Sequence, residues 1–169
     1  MIKIIDKICK PVKGSKFSAC VDLKSSEDVM IREGETAVID LGVSLDLEKM
    51  PPYVLNNMDR FYLQLETRSS FRAKGIICGS GIIDIDYPGV IKIILHNFSY
   101  GEPFVVKKGD RVGQMMLLEH KTGLLGIESE DERVGGFGST GVWCVLWKFP
   151  LWEIWVFEDK NKRLRWKKF

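Results

Sequence analysis

The stretch "VIKIILHN" (residues 90–97), with its counterpart "FYLQLET" (61–67), decides the fold class of this chain. Both are short, rich in β-branched and aromatic side chains, and alternate in the manner of strands. "TAVIDLGVSLDL" (36–47) and "RVGQMMLLEH" (111–120) read the same way. Turn-forming clusters punctuate the intervals: "REGE" (32–35), "MPP" (50–52), "YPG" (87–89), "YGEP" (100–103) and "KKGD" (107–110). No window of twelve residues within 1–141 gives a convincing amphipathic helix. Many short strands at this spacing predict a compact all-β barrel or sandwich without internal repeats.

Working outward, the 169 residues suffice for one domain with a proper core. A hydrophobic share of 45% with 28% charged residues is that of a globular protein rather than a disordered chain. The net charge of +2 is a sum of unlike parts. Residues 142–169 carry seven Lys/Arg against three Asp/Glu, a net of +4, which leaves 1–141 at −2. All five tryptophans also lie in 142–169, so composition breaks after Gly141. Cys9, Cys20, Cys78 and Cys144 form no C-x-x-C pair and have no His at metal-ligand spacing, which predicts reduced thiols. The opening "MIKIIDKICKPVKG" is interrupted by charge too often for a signal-peptide core. The apolar run Val142–Phe157 is broken by Lys148, Pro150 and Glu153 and falls short of a membrane span. A cytoplasmic protein is expected, or one in the cytoplasm or nucleus of a host cell for a viral chain.

Four segments could carry chemistry. In "GGFGSTG" (135–141), glycines can turn backbone N–H groups toward one point and the hydroxyls add donors, which suits a phosphate. The same composition suits a hinge, and the segment lacks the G-K-[ST] ending of a P-loop. "TRSSF" (67–71) follows a strand; Arg68 can fork onto phosphate oxygens beside Ser69 and Ser70, or simply form a polar strand end. In "GIIDIDYPG" (81–89), Asp84 and Asp86 would share a face on a strand, costly unless a metal, water or cation uses them. Tyr87 beside the turn could pack on a sugar. "KGDRVGQMM" (108–116) places a turn before a strand bearing Gln114, with Asp110 and Arg111 expected to pair across the turn.

Their order is more specific than any one of them. "ACVDL" (19–23), "TRSSF", "GIIDIDYPG", "GDRVGQMM" and "RVGGFGSTG" (133–141) resemble the five motifs of the trimeric dUTP pyrophosphatases, in sequence order, across about 1–141. The resemblance implies a jelly-roll-like β-barrel protomer and a homotrimer with a swapped C-terminal arm, here 132–141. It implies hydrolysis of dUTP to dUMP and pyrophosphate with Mg²⁺, limiting the dUTP open to incorporation into DNA and supplying dUMP. Asp84 would activate the water that attacks the α-phosphorus. Since an ordinary Asp, with a pKa of about 3.9, is a weak base, positioning and electrostatics would supply most of the rate. Asp22 and Gln114 would hold the metal through its bound water. Arg68, Ser69 and Ser70 would grip the phosphates, and Tyr87 would pack on deoxyribose. Cys78, Gly81 and Lys92 fall at substrate-binding positions. Phe137 would stack on uracil as the arm closes, with Arg133, Gly138, Ser139 and Thr140 near the γ-phosphate.

The chain departs from the family pattern at three points. Cys20 stands where the first motif has glycine, and only Val134 separates Arg133 from the glycine-rich arm. Cys78 occupies a position, six residues before Asp84, where many members have an Asn that reads the uracil edge. A thiol is a poor substitute for an amide, which leaves backbone groups of the hairpin to discriminate uracil from cytosine. The 28-residue tail has no counterpart in the pattern. Its expected roles are extra strands, an anionic membrane surface, or a protein or nucleic-acid partner met through "KNKRLRWKKF". The alternative functions are the same-fold dCTP deaminase, a hydrolase of relaxed base choice, and a non-catalytic nucleotide-sensing module acting through the tail.

Overall fold

The computed structural model describes residues 1–79 and 81–127. Eleven strands occur there in chain order: β1 (Ile2–Ile4), β2 (Val12–Lys13), β3 (Val21–Lys24), β4 (Val29–Ile31), β5 (Thr36–Leu45), β6 (Phe61–Thr67), β7 (Ile76–Cys78), β8 (Ile82–Asp84), β9 (Val90–Asn97), β10 (Phe104–Val106) and β11 (Arg111–Glu119). Two four-residue helices, α1 (Pro52–Leu55) and α2 (Ser69–Arg72), interrupt them. Among the described residues no helix is long and apolar enough to cross a membrane. The chain is all-β, and the stretches at 61–67 and 90–97 form strands over those same bounds.

The strands make a four-stranded sheet in the order β1-β5-β9-β7, a five-stranded sheet in the order β2-β3-β11-β6-β8, and the two-stranded pair β10-β4. Every pairing is antiparallel. Alternation in sequence becomes alternation in burial. β9 buries Ile91, Ile93 and Leu95, and β6 buries Leu63 and Leu65, while the residues between them stay partly exposed. These side chains meet Leu23, Ile31, Ile39, Leu41 and Val43 in one core fed by both larger sheets. Each such side chain contributes roughly 1.5–3 kcal/mol by leaving water. Buried Asn97 ties the layers: its Nδ2 donates to the Ile31 carbonyl at 2.9 Å, and its Oδ1 accepts from the Ser99 N–H at 2.9 Å.

The long strand β5 bends at Gly42, where its register with β9 shifts between Asp40 and Ser44. Gly42 adopts φ 60°, and a Cβ there would meet the Cys9 Sγ at 2.8 Å. Both the left-handed backbone and the close approach require glycine. The arm residues Arg133, Phe137, Gly138, Ser139 and Thr140 lie outside the described residues, as do Ser80, Cys144 and the tail 142–169.

Candidate active site

The β2-β3-β11-β6-β8 sheet carries polar side chains at both ends of one face. At the first end, Asp22 of β3 lies directly opposite Gln114 of β11, which in turn lies opposite Glu66 of β6. The Asp22 carboxylate accepts from Arg111 at 3.0 Å through Oδ2, and its Oδ1 is 3.3 Å from the Arg68 Nε. Asp22 is 13% exposed and Arg68 29%, so this carboxylate is largely shielded and held by two guanidiniums. The pairing of Arg111 with Asp110 expected from the sequence does not form. The Asp110 carboxylate accepts the Lys107 N–H instead, closing the turn, while β11 carries Arg111 toward β3.

Arg68 ends the strand segment and starts a turn. Its carbonyl accepts the N–H groups of Phe71 and Arg72 at 3.0 and 3.1 Å, which winds Ser69 and Ser70 into the exposed start of α2. The result is a guanidinium with two hydroxyls beside it on one short turn. Arg72 pairs with Glu66, adding a third cation to this end beside Arg68 and Arg111.

Both Asp22 oxygens face guanidiniums, and among the described residues no three His, Cys, Asp or Glu side chains converge. A divalent cation at this end could meet Asp22 and Gln114 only through its bound water, which would donate to their oxygens.

The second end centres on Asp84, the last residue of β8, directly opposite Tyr62 of β6. The strand stops there, since the Tyr87 N–H turns back to the Asp84 carbonyl at 3.1 Å. Asp86 therefore lies in a turn and not on the strand. The shared strand face expected for the two carboxylates is replaced by a turn that flanks buried Ile85 with two exposed aspartates. Asp84 and Asp86 nevertheless line one pocket of about 380 Å³ with Asp59, Met58, Phe61, Ile85 and His120.

Tyr87 is buried within the protomer, its ring over Gly89 and its hydroxyl 3.4 Å from the Val90 carbonyl. Gly81 has a steric reason to be glycine. Its carbonyl accepts the Leu65 N–H at 2.7 Å, and a Cβ would stand 2.1 Å from the Leu65 carbonyl oxygen. This contact clamps the start of β8 onto β6. Cys78 ends β7 on the other large sheet, opposite Leu95. Burial, reinforced by the Glu66 charge, pushes its thiol up to about 11. Lys92 of β9 lies on that same sheet, opposite Asp40.

One protomer thus gathers Asp22, Arg68, Ser69, Ser70 and Gln114 at one end and keeps Asp84 at the other. Gln114 is four residues along β11 from Leu118, whose neighbour across β6 faces Asp84. At about 3.4 Å per residue and about 4.8 Å per strand, the two ends are roughly 17 Å apart. Sequence reasoning pairs Arg111 of the fourth motif with Asp110 rather than with Asp22, and His120 carries no local motif; both reach their places by pairing across the fold.

Comparison with known proteins matches the dUTPase family model to residues 6–141. Deoxyuridine 5'-triphosphate nucleotidohydrolase of Yarrowia lipolytica is 34% identical, with 78% of this chain and 82% of that protein covered. That of Paramecium bursaria Chlorella virus 1 is 32% identical over 83% of this chain and 95% of its own. Among solved structures, the Streptococcus mutans dUTPase superposes with a TM-score of 0.58 at 26% identity, covering 70% of this chain and 94% of its own. A dUTPase from phage phi11 of S. aureus, whose structure describes the coordination of a structural Mg(II) ion, has the same fold, with a TM-score of 0.60 at 20% identity over 82% and 98%. With its two-ended sheet and this match across the five motifs, the chain belongs to the dUTPase family.

Proposed function

We infer that this chain is the protomer of a Mg²⁺-dependent homotrimer that hydrolyses dUTP to dUMP and pyrophosphate. The observation that carries the reading is the family match across 6–141, joined by curated relatives named deoxyuridine 5'-triphosphate nucleotidohydrolase. In this reading 1–141 is the catalytic unit, 132–141 its closing arm, and 142–169 a separate basic extension. Its setting is the cytoplasm, or the cytoplasm or nucleus of a host cell for a viral chain.

The distance between the two polar ends supports assembly of the site between copies. An attack on one phosphorus needs the general base and the phosphate grip within a few ångströms, yet in one protomer Arg68, just past the end of β6, lies six residues from Tyr62, the partner of Asp84, roughly 20 Å away. A second protomer brings its Arg68 end to the first protomer's Asp84. Asp84 accepts a proton from a water and directs its oxygen at the α-phosphorus. The bond to the β-phosphate oxygen breaks as pyrophosphate leaves. Arg68, Ser69 and Ser70 hold the phosphates in line, and Asp22 fixes Arg68 while, with Gln114, holding the metal's water shell. Mg²⁺, when bound, offsets the charge of the triphosphate. Tyr87 and Gly81 shape the sugar and base side, with Lys92 and Cys78 beside it. Phe137 covers the base, and Arg133, Gly138, Ser139 and Thr140 close on the γ-phosphate.

Pyrophosphate release from dUTP, dCTP and dTTP, with the full chain and with 142–169 deleted, tests the reading. Turnover preferring dUTP in both forms is the expected result. Tight dUTP binding without turnover, or ammonia release from dCTP, overturns it.

A further inference from the structure

We propose that His120 is a further substrate-positioning residue, donating from Nε2 to the phosphate group that comes to Asp84. This rests on the hydrolase reading above. The pocket that holds Asp84 also holds the carboxylates of Asp59 and Asp86, and among its described lining residues His120 is the one nitrogen base. Three carboxylates in one pocket repel an arriving triphosphate. Beside the cations that a second protomer brings, a donor on this protomer's own side would help hold it, and His120 can supply one.

The ring is held for that task. The His120 N–H donates to the Arg60 carbonyl at 2.7 Å, which fixes the backbone just past the end of β11. The Thr122 N–H donates to His120 Nδ1 at 3.2 Å. An imidazole nitrogen that accepts carries no proton, so the neutral ring bears its hydrogen on Nε2. Nε2 is then a donor in the neutral and the charged form alike. The Tyr62 ring lies 5.9 Å from the imidazole, centroid to centroid, and Tyr62 is the residue directly opposite Asp84. One aromatic side chain therefore packs the histidine beside the strand position of the aspartate.

The surrounding charges leave the role to His120. Arg60, on the Met58–Arg60 turn with Asp59, is paired with Glu119 of β11, so its charge is largely answered. Lys121 is exposed and does not line the pocket. The Thr122 N–H on Nδ1 keeps the Nε2 hydrogen as the ring's free donor on this side of the pocket.

The test compares His120→Gln, which keeps a neutral donor near the Nε2 position, with His120→Phe, which keeps a ring without one. Steady-state kcat and KM for dUTP are measured with the full chain at one pH. His120→Phe should raise KM about ten-fold, the scale of one charge-assisted hydrogen bond, with a smaller change in kcat. His120→Gln should restore most of the KM, because its amide still donates near the Nε2 position. Equal KM in wild type and His120→Phe overturns the proposal, as does a KM in His120→Gln as high as in His120→Phe, or a fall in kcat without a change in KM. If His120→Phe does not fold, His120→Leu replaces it in the comparison. An absence of turnover by wild type defeats the hydrolase reading instead, so the two failures are distinct.

Discussion

Asp22 and Asp84 are the same residue type on the same sheet, and their surroundings are opposite. Asp22 faces two guanidiniums and is mostly covered; Asp84 is exposed and shares its pocket with two more carboxylates. A carboxylate saturated with cations is a poor base and a good anchor. A solvent-exposed carboxylate that lines a pocket with other carboxylates can be reached by a water. The difference fits the proposed division of work, in which Asp22 anchors and Asp84 serves as the base.

The sharpest way to break this comparison is Asp84→Asn. It should lower kcat by about 10²–10⁴-fold, the usual share of a positioned general base, while light scattering still finds the trimer and dUTP still binds. Activity within a few-fold of wild type would move the chemistry away from that end. Gly81→Ala is expected to come next. The new methyl must push against the Leu65 carbonyl, so β8 shifts and Asp84 with it. A displacement near 1 Å costs about 10²-fold in rate, with the Mg²⁺ requirement unchanged; full activity would show that the clamp does not set the position of Asp84.

Asp22→Asn probes the other end. It leaves Arg68 and Arg111 without their shared anion, so a fall in kcat/KM of about ten-fold and a loss of roughly 1–3 kcal/mol in stability are expected. The half-saturating Mg²⁺ concentration should rise, read from activity against metal after chelation. An unchanged metal dependence would remove Asp22 from the metal's water shell.

The smallest effects belong to Cys78. With its folded-state thiol raised to about 11 from 9.0, it stays protonated near neutrality, and iodoacetamide should label it slowly at pH 7.5. The sign for stability follows. The unfolded chain loses this proton first, so the thiol's contribution is flat below pH 9.0 and falls as pH rises toward 11. The melting temperature of wild type relative to Cys78→Ser should therefore decline over that window alone. Cys78→Asn should improve the preference for dUTP over dCTP by a few-fold; no change would remove the residue from base selection.

Strands β6 and β9 were legible to the residue, because one buried face writes its period of two into the chain. Strands of two to four residues, such as β1 and β2, leave too few alternations to read and exist only by pairing with β5 and β3. The candidate site was legible as motifs but not as geometry. Nothing near Arg111 announces a partner 89 positions away, and the turn that removes Asp86 from its strand depends on a backbone hydrogen bond. His120 comes beside Asp84 only because β6 lies between β11 and β8.

On the proposed reading, Arg68 would meet its phosphate with one hand already taken. Because Asp22 holds this guanidinium, ligand binding there would be an exchange of one anion for another and not the filling of an empty socket. A weakly charged ligand gains little from such an exchange, and the internal carboxylate is always present at high local concentration. The monophosphate product should then be expelled more readily than the triphosphate is released. Product inhibition by dUMP that becomes stronger in Asp22→Asn, while that by pyrophosphate changes less, is the expected mark of an enzyme that carries its own competitor.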